Sequence, residues 1–409
     1  MAKRPGLRVS ELLQHRQQTD GAAPALLELE SGRAWTWAEL AEACRGYPAD
    51  CAVIEATRRA ETVLEILGRL AAGGTVMPVD VRTPQRLALP AEFAISGGGT
   101  VIQTSGSSGR PRGVIHQTQR HLASARGMCE RISLAAGDRW LLGLPLYHVG
   151  GLAVLFRALV SGATVVLAGK PPSLGEIATA GVTHASVVPT QLVRWLAEET
   201  EAGVPGRLIL IGGAAVPETA WGEGLARGWP VAASYGSTEM ASTVTMMPLG
   251  QGAVSAGLPL PGREVRITEG EIELKGEMLA DGYVGEPLPL VDGWFRTGDL
   301  GTLDAAGALT VHGRRDQMLI CGGKNVYPEE LERAILGLPG VRRACVVARP
   351  DAEYGQVPVA FVEGGSNWAA QLCEVLPAYK IPVAWHPWPE NQRGRLKPDR
   401  QALAALVRR

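Results

Sequence analysis

Lysine is nearly missing from this 409-residue chain: of its 40 basic residues, arginine supplies all but a handful. Positive charge therefore sits mostly on planar guanidinium forks, which makes each lysine a position to inspect. Paired cysteines are also missing. Cys44, Cys51, Cys129, Cys321, Cys345 and Cys373 are scattered with no C-x-x-C, which argues against a zinc site and a disulfide framework and for a reduced cytosolic setting. No stretch reaches about 18 uninterrupted apolar residues, and the start "MAKRPGLRVSELLQHRQQ" has no apolar segment behind its basic residues. Export and stable membrane insertion are therefore not expected, and the reading is cytoplasmic. Excess charge of either sign is absent as well. A net charge of −1 with no clustered basic face excludes a nucleic-acid-coating protein, and 46% hydrophobic with 20% charged residues is a soluble globular composition.

The length implies two or three domains, or one large domain with an appendage. "TVVLA" at 164–168, "ASVVP" at 185–189 and "RLILIGG" at 207–213 read as short strands. Between them "TQLVRWLAEETEA" carries Leu192, Val193, Trp195 and Leu196 at helical spacing. This alternation predicts α/β layering with ligands at the carboxyl ends of the strands. From about 262 the texture changes to "REVRITEGEIELKGEMLADGY", which suits a small antiparallel or barrel-like piece. After "GRRDQMLICGGKN" comes a helix and then strands, a compact α+β appendage. The expected fold is α/β: a large N-terminal domain of layered sheets and helices, 1–314, and a small mobile α+β C-terminal domain, 315–409. No internal repeat is evident.

The stretch "QTSGSSGRPRGVIHQ" at 103–117 follows the strand-like "TVI" and gathers Thr104, Ser105, Gly106, Ser107, Ser108 and Gly109 into a loop followed by Arg112. Small residues let backbone N–H groups wrap an anion, hydroxyls add donors and arginine adds charge, so a phosphate is the natural guest. A flexible linker is the plain alternative. The loop lacks the lysine followed by Ser or Thr that closes a G-x-x-x-x-G-K-[ST] nucleotide loop.

"TSGSSGRPRG" resembles the signature phosphate loop of the adenylate-forming superfamily of acyl-CoA synthetases. Three further stretches match that family in order: "YGSTE" at 235–239, "GWFRTGDLG" at 293–301 and "GRRDQMLICGGKNVYPEELE" at 313–332. The resemblance implies ATP, Mg2+ and CoA as cofactor and co-substrates. A carboxylate attacks the α-phosphate of ATP and releases pyrophosphate, and a thiol then displaces AMP. It implies an adenine site at Gly213, Ala214, Tyr235, Gly236 and Thr238, and Glu239 as magnesium ligand and catalytic group. Asp299 would bind both ribose hydroxyls, Arg314 ribose or phosphate, and Asp316 would be the hinge between the half-reactions. The family's catalytic lysine falls within "NQRGRLKPDR" at 391–400. Matching the glycine puts Arg395 in its place; matching "DRQAL" puts Lys397 there, and Lys397 is favoured.

Several stretches resemble one branch of the family, the o-succinylbenzoate-CoA ligases of menaquinone and phylloquinone synthesis: "LPLYHVGGLAVLFRAL", "VTHASVVPTQLVRWL", "GSTEMASTV" and "LPLPGREVRI". The implied substrate is an aromatic dicarboxylic acid, which needs an apolar slot and donors for the spare carboxylate. Thr190, Gln191 and Ser242 are the candidate liners, Arg194 a weaker one, and His148 would sit at the acyl and thiol end. A ligase for another aromatic or fatty acid shares every motif except the pocket. Two departures from the family stand out: Arg112 replaces the usual lysine of the phosphate loop, and the segment before that loop is short. The expected partners are small molecules, and a homodimer is compatible with the sequence.

Overall fold

A computed structural model describes residues 8–82, 86–90, 92–104, 111–198, 203–250, 252, 254–392 and 398–407. Its largest sheet has nine strands. From one edge they are Leu258–Pro259, Ser242–Met246, Val231–Ser237, Leu208–Ile211, His184–Val187, Arg139–Leu142, Thr164–Leu167, Pro24–Glu28 and Ala34–Thr36. The six strands from Val231–Ser237 to Pro24–Glu28 run parallel. Leu208–Ile211 and Thr164–Leu167 are buried at every residue, which is why they read as unbroken apolar runs. Helices such as Val149–Ser161 and Pro189–Leu196 cover this sheet; the second opens on Pro189 after the extended Val188, as a proline at the first helical position favours.

A second sheet orders Gly282–Tyr283, Arg112–Gln117, Gly99–Thr104, Thr75–Val79 and Cys51–Glu55. It places the two strands that flank the phosphate loop side by side in antiparallel register, Thr104 opposite Arg112. A third, antiparallel sheet is built on Arg263–Thr268, Glu271–Gly276, Trp294–Leu303 and Leu309–Arg314. Its alternating charges become cross-strand partners, with Arg266 opposite Glu273 and paired to it at 2.7 Å.

The fourth sheet belongs to the C-terminal part, and alternation gives it two apolar faces. Val346, Ala360 and Val362 pack with Leu331 and Ile335 of the helix Pro328–Leu336. Their neighbours Cys345, Val347, Val359 and Phe361 pack with Leu403 and Val407 of the helix Arg400–Val407. Arg400 secures that last helix, donating to Glu332 at 2.6 Å and to the Val346 carbonyl at 2.8 Å, with Glu329 3.7 Å away. Glu329 in turn lies against the backbone of Gly313, at the end of the N-terminal part; a Cβ added there would fall 2.5 Å from its Oε2.

Candidate functional site

The loops after the parallel strands open at one edge of the large sheet, where α/β folds bind ligands. Leu208–Ile211 leads into Gly212, Gly213 and Ala214, and Val231–Ser237 runs directly into Thr238 and Glu239. Gly213 has φ +82, and Gly213 and Ala214 are exposed beside the cleft. Gly236 has to be glycine: a Cβ there would lie 2.2 Å from the Ser242 carbonyl oxygen, on the strand paired with it.

Asp299 and Arg314 face each other across two antiparallel strands. The guanidinium donates to the Thr297 carbonyl at 3.0 Å and lies 3.4 Å from Asp299 and 3.2 Å from Asp316. The Tyr235 hydroxyl donates to Asp299 at 2.6 Å. Burial raises the Asp299 carboxyl above its ordinary range, and the Tyr235 and Arg314 donors only partly offset it. Burial and the Asp299 charge together push the Tyr235 phenol up.

Glu239 lies in the same cleft, and its charge also acts on Tyr235. The Tyr283 hydroxyl donates to Glu239 Oε1 at 2.9 Å, and the Ala280 N–H donates to the Glu239 carbonyl at 2.7 Å. Arg112 lies over the Tyr283 ring at 5.1 Å and 3.6 Å from Glu286. One cleft thus holds Asp299 with Arg314 and Tyr235, and Glu239 with Tyr283, on whose ring Arg112 lies. Thr104 ends its strand and donates to the Arg112 carbonyl at 3.5 Å. Ser105, Gly106, Ser107, Ser108 and Gly109 lie outside the described residues, as do Arg395 and Lys397.

On the acid side, His148 precedes the helix Val149–Ser161 with its ring 4.6 Å from Tyr147. Gln191 is committed to backbone at both ends of its amide, accepting from Val188 N–H at 2.9 Å and donating to the Gly143 carbonyl at 3.3 Å. It therefore ties two strand ends together, with one of its two amide N–H groups committed to Gly143. Thr190 is exposed in the first turn of its helix. Ser242 is buried, with its hydroxyl 3.4 Å from the fully buried Arg157.

Arg58 donates to the Gly143 and Gly169 carbonyls at 3.0 and 2.9 Å, and burial, with help from the neighbouring Arg194 charge, lowers its pKa. The Glu30 charge opposes that fall, and Arg194 donates to the Pro172 carbonyl at 3.4 Å. A cavity of about 500 Å³ lined by Arg131, His184, Arg207 and Leu249 sits at the opposite, amino ends of the strands and shares no residue with this cleft.

Sequence reasoning did not single out Tyr283, Arg58, or His116, whose ring bonds the Thr238 carbonyl. Tyr283 stands in "ADGYVGE" with no residue-level mark of its partner; only the return of that segment alongside Arg112–Gln117 brings it to Glu239.

Comparison with known proteins decides what this cleft belongs to. The model of the AMP-binding enzyme family matches residues 100–286, and that of the AMP-binding enzyme C-terminal domain matches 330–387. The 2-succinylbenzoate–CoA ligase of Salmonella typhimurium is 36% identical over 403 residues, covering 88% of this chain and 87% of that protein. The chain belongs to the AMP-binding enzyme family. Among solved AMP-binding enzymes, an E. coli MenE with bound OSB-AMS superposes with TM-score 0.84 at 31% identity, covering 97% of this chain and 98% of that one. The Bacillus subtilis o-succinylbenzoate coenzyme A synthetase in complex with ATP and magnesium ion superposes with TM-score 0.79 at 28% identity, covering 92% and 95%. The mixed α/β architecture, with its large N-terminal and small C-terminal domains, is that of these AMP-binding enzymes.

Proposed function

We propose that this AMP-binding enzyme joins o-succinylbenzoate to CoA through an acyl-adenylate, releasing pyrophosphate and then AMP, as a step of menaquinone synthesis. The observation that carries the reading is the likeness, along nearly the whole chain, to a 2-succinylbenzoate–CoA ligase. The cleft supplies matching chemistry. Asp299, held by Tyr235 and Arg314, accepts from the ribose hydroxyls. Gly213, Ala214, Gly236 and Thr238 wall the adenine slot, and the Tyr235 ring offers it a stacking face.

Magnesium fits the donor set. Glu239 offers hard oxygen, and no cluster of three or more His, Cys, Asp or Glu suited to a metal occurs among the described residues. A single carboxylate suits an ion that keeps waters and takes phosphate oxygens for its remaining ligands. The ion would supply neutralisation of phosphate charge. Arg112 and the loop 105–109 bind the phosphates, and Lys397 approaches the α-phosphate and the attacking carboxylate. Arg58, bonded to the Gly143 carbonyl, and Arg194, whose charge acts on it, supply positive potential for the second carboxylate of an aromatic diacid. Ser242, Thr190 and the backbone ends tied by Gln191 shape the slot, with His148 at the acyl end. Residues 315–409 swing about Asp316 between the two half-reactions, a motion that breaks or remakes its pair with Arg314.

The test is pyrophosphate release by purified protein with ATP, magnesium and CoA, comparing o-succinylbenzoate with benzoate, a cinnamate and a medium-chain fatty acid. Rapid turnover with o-succinylbenzoate alone is expected; preference for any of the others would refute the substrate. Lys397→Ala is expected to slow the first half-reaction by about 10²- to 10³-fold, and Arg395→Ala much less.

A further inference from the structure

His116 is fully buried on the strand Arg112–Gln117, which leaves the phosphate loop. Its Nε2 lies 2.7 Å from the carbonyl oxygen of Thr238, the residue before Glu239. A carbonyl only accepts, so Nε2 carries the proton and the ring is the neutral tautomer. Burial agrees, lowering the His116 pKa to about 4. The other ring nitrogen, Nδ1, is buried and has no partner. The ring is held from behind by His121, 4.9 Å away and tilted, and His121 is stacked on Phe156 at 4.5 Å.

As a space-filler this is a poor choice of residue. A leucine would occupy the same core without orphaning a nitrogen, and an unsatisfied buried polar atom destabilises the fold. What a leucine could not do is hold the Thr238 carbonyl. Among the described residues that carbonyl otherwise accepts the Ala241 N–H of its own tight turn, at 3.1 Å. The same strand grips the turn from a second side: Asp281 N–H and Val284 N–H bond the Ile115 and Gly113 carbonyls, at 2.9 Å each. This seats the segment whose Ala280 N–H and Tyr283 hydroxyl hold Glu239.

We propose that His116 is a positioning residue for the nucleotide-activating step, a strut that fixes the Glu239 turn against the strand that carries Arg112, so that both can engage one metal–triphosphate unit. Arg112 and Glu239 lie 127 residues apart in sequence, and the metal–triphosphate must touch both, so their relative placement decides whether it binds in one geometry. His116 touches neither nucleotide nor metal. Its effect should be larger for a ligand that meets both Arg112 and the Glu239 turn than for AMP, which meets the turn only at Thr238.

The proposal rests on the ATP-dependent reading above, so the test measures binding without acid or CoA. Wild type, His116→Gln, His116→Asn and His116→Leu are titrated calorimetrically with MgATP, and with AMP in the presence of EDTA; circular dichroism checks folding. A glutamine amide reaches the Nε2 position, an asparagine amide only the Nδ1 position. Expected are a MgATP Kd raised about tenfold in the Asn and Leu variants, an AMP Kd raised by no more than about threefold in the same variants, and rescue of MgATP binding by Gln to within about threefold.

Equal losses for AMP and MgATP, wild-type MgATP affinity in a folded Leu or Asn variant, or identical behaviour of Gln and Asn would each overturn the proposal. If the Leu variant does not fold, the Gln–Asn comparison decides. If Asn also fails to fold, His116 is a core residue and the proposal falls. A wild-type protein that binds no MgATP would instead refute the ATP-dependent reading itself.

Discussion

Replacing Arg400 with methionine removes the cation that holds the C-terminal helix while nearly preserving its volume. In the native protein Glu332 accepts from Arg400 at 2.6 Å and from Val346 N–H at 2.7 Å, and Glu329 lies 3.7 Å from the same guanidinium. Burial disfavours that cation, yet the two carboxylates hold its pKa above the ordinary arginine value. Burial likewise raises Glu329, and Arg400 only partly restores it. Without Arg400, two carboxylates would share a wedge with no cation. Breaking a buried pair by removing one partner typically costs about 3 to 5 kcal/mol.

The Arg400 side chain is 22% exposed and that of Glu332 12%, so the lower end, about 3 kcal/mol, is the expectation. For a domain of this size that corresponds to a fall of roughly 12 °C or more in its Tm, read by calorimetry. A double-mutant cycle with Glu332→Gln should return a coupling of about 2 kcal/mol. Lys397 lies three residues before Arg400, so ATP–pyrophosphate exchange should also drop while AMP affinity stays unchanged. A Tm loss below about 3 °C together with a coupling under about 0.5 kcal/mol would refute the reasoning.

Two pH dependences follow from buried groups. His116 and His184 are both brought down to about 4 by burial, with His184 partly supported by the Asp138 charge. Their folded values lie below the unfolded one, so the stability they confer is complete above about pH 6.5 and drains away as pH falls toward 4, about 2 kcal/mol each by pH 5. Melting curves between pH 7.5 and 5 should show the decline, and a flat profile would count against it. Asp299 has the opposite sense: its raised carboxyl takes up a proton at a higher pH than a free aspartate and then can no longer accept from both ribose hydroxyls. AMP affinity should weaken on acidification at a higher pH than an ordinary aspartate would impose, the limb should move to higher pH in Tyr235→Phe, and it should vanish in Asp299→Asn; superimposable profiles would dismiss Asp299 as the titrating group.

The parts of the fold set by local pattern were readable in advance. Leu208–Ile211 and Thr164–Leu167 are strands because buried parallel strands are apolar throughout, and the helix Pro328–Leu336 followed by Val341–Asp351 lies where period and turn residues put it. Asp299, Arg314, Tyr235 and Glu239 were named from their motifs, and the structure gathers them in one cleft. What escaped was long-range pairing. Nothing in "GVIHQ" signals that His116 meets Thr238, 122 positions on, and nothing in "ADGY" signals that Tyr283 meets Glu239, because sheet register and not spacing makes those contacts. Gln191 was assigned to substrate, and its amide also joins backbone groups exposed where two parallel strands end, a tie that spacing alone does not show.

Arg112 beside Tyr283 and Glu239 also bears on the enzyme's durability. An acyl-adenylate is a potent acylating agent, and a neutral amine held near it would be consumed with the enzyme's own product. A guanidinium stays protonated at any working pH and is no nucleophile, so it attracts phosphate without being modified. In a chain whose cations are almost all arginine, self-acylation has few targets. On the proposed assignment of Lys397 as the catalytic cation, the amine brought to the reaction is also one its intermediate could acylate.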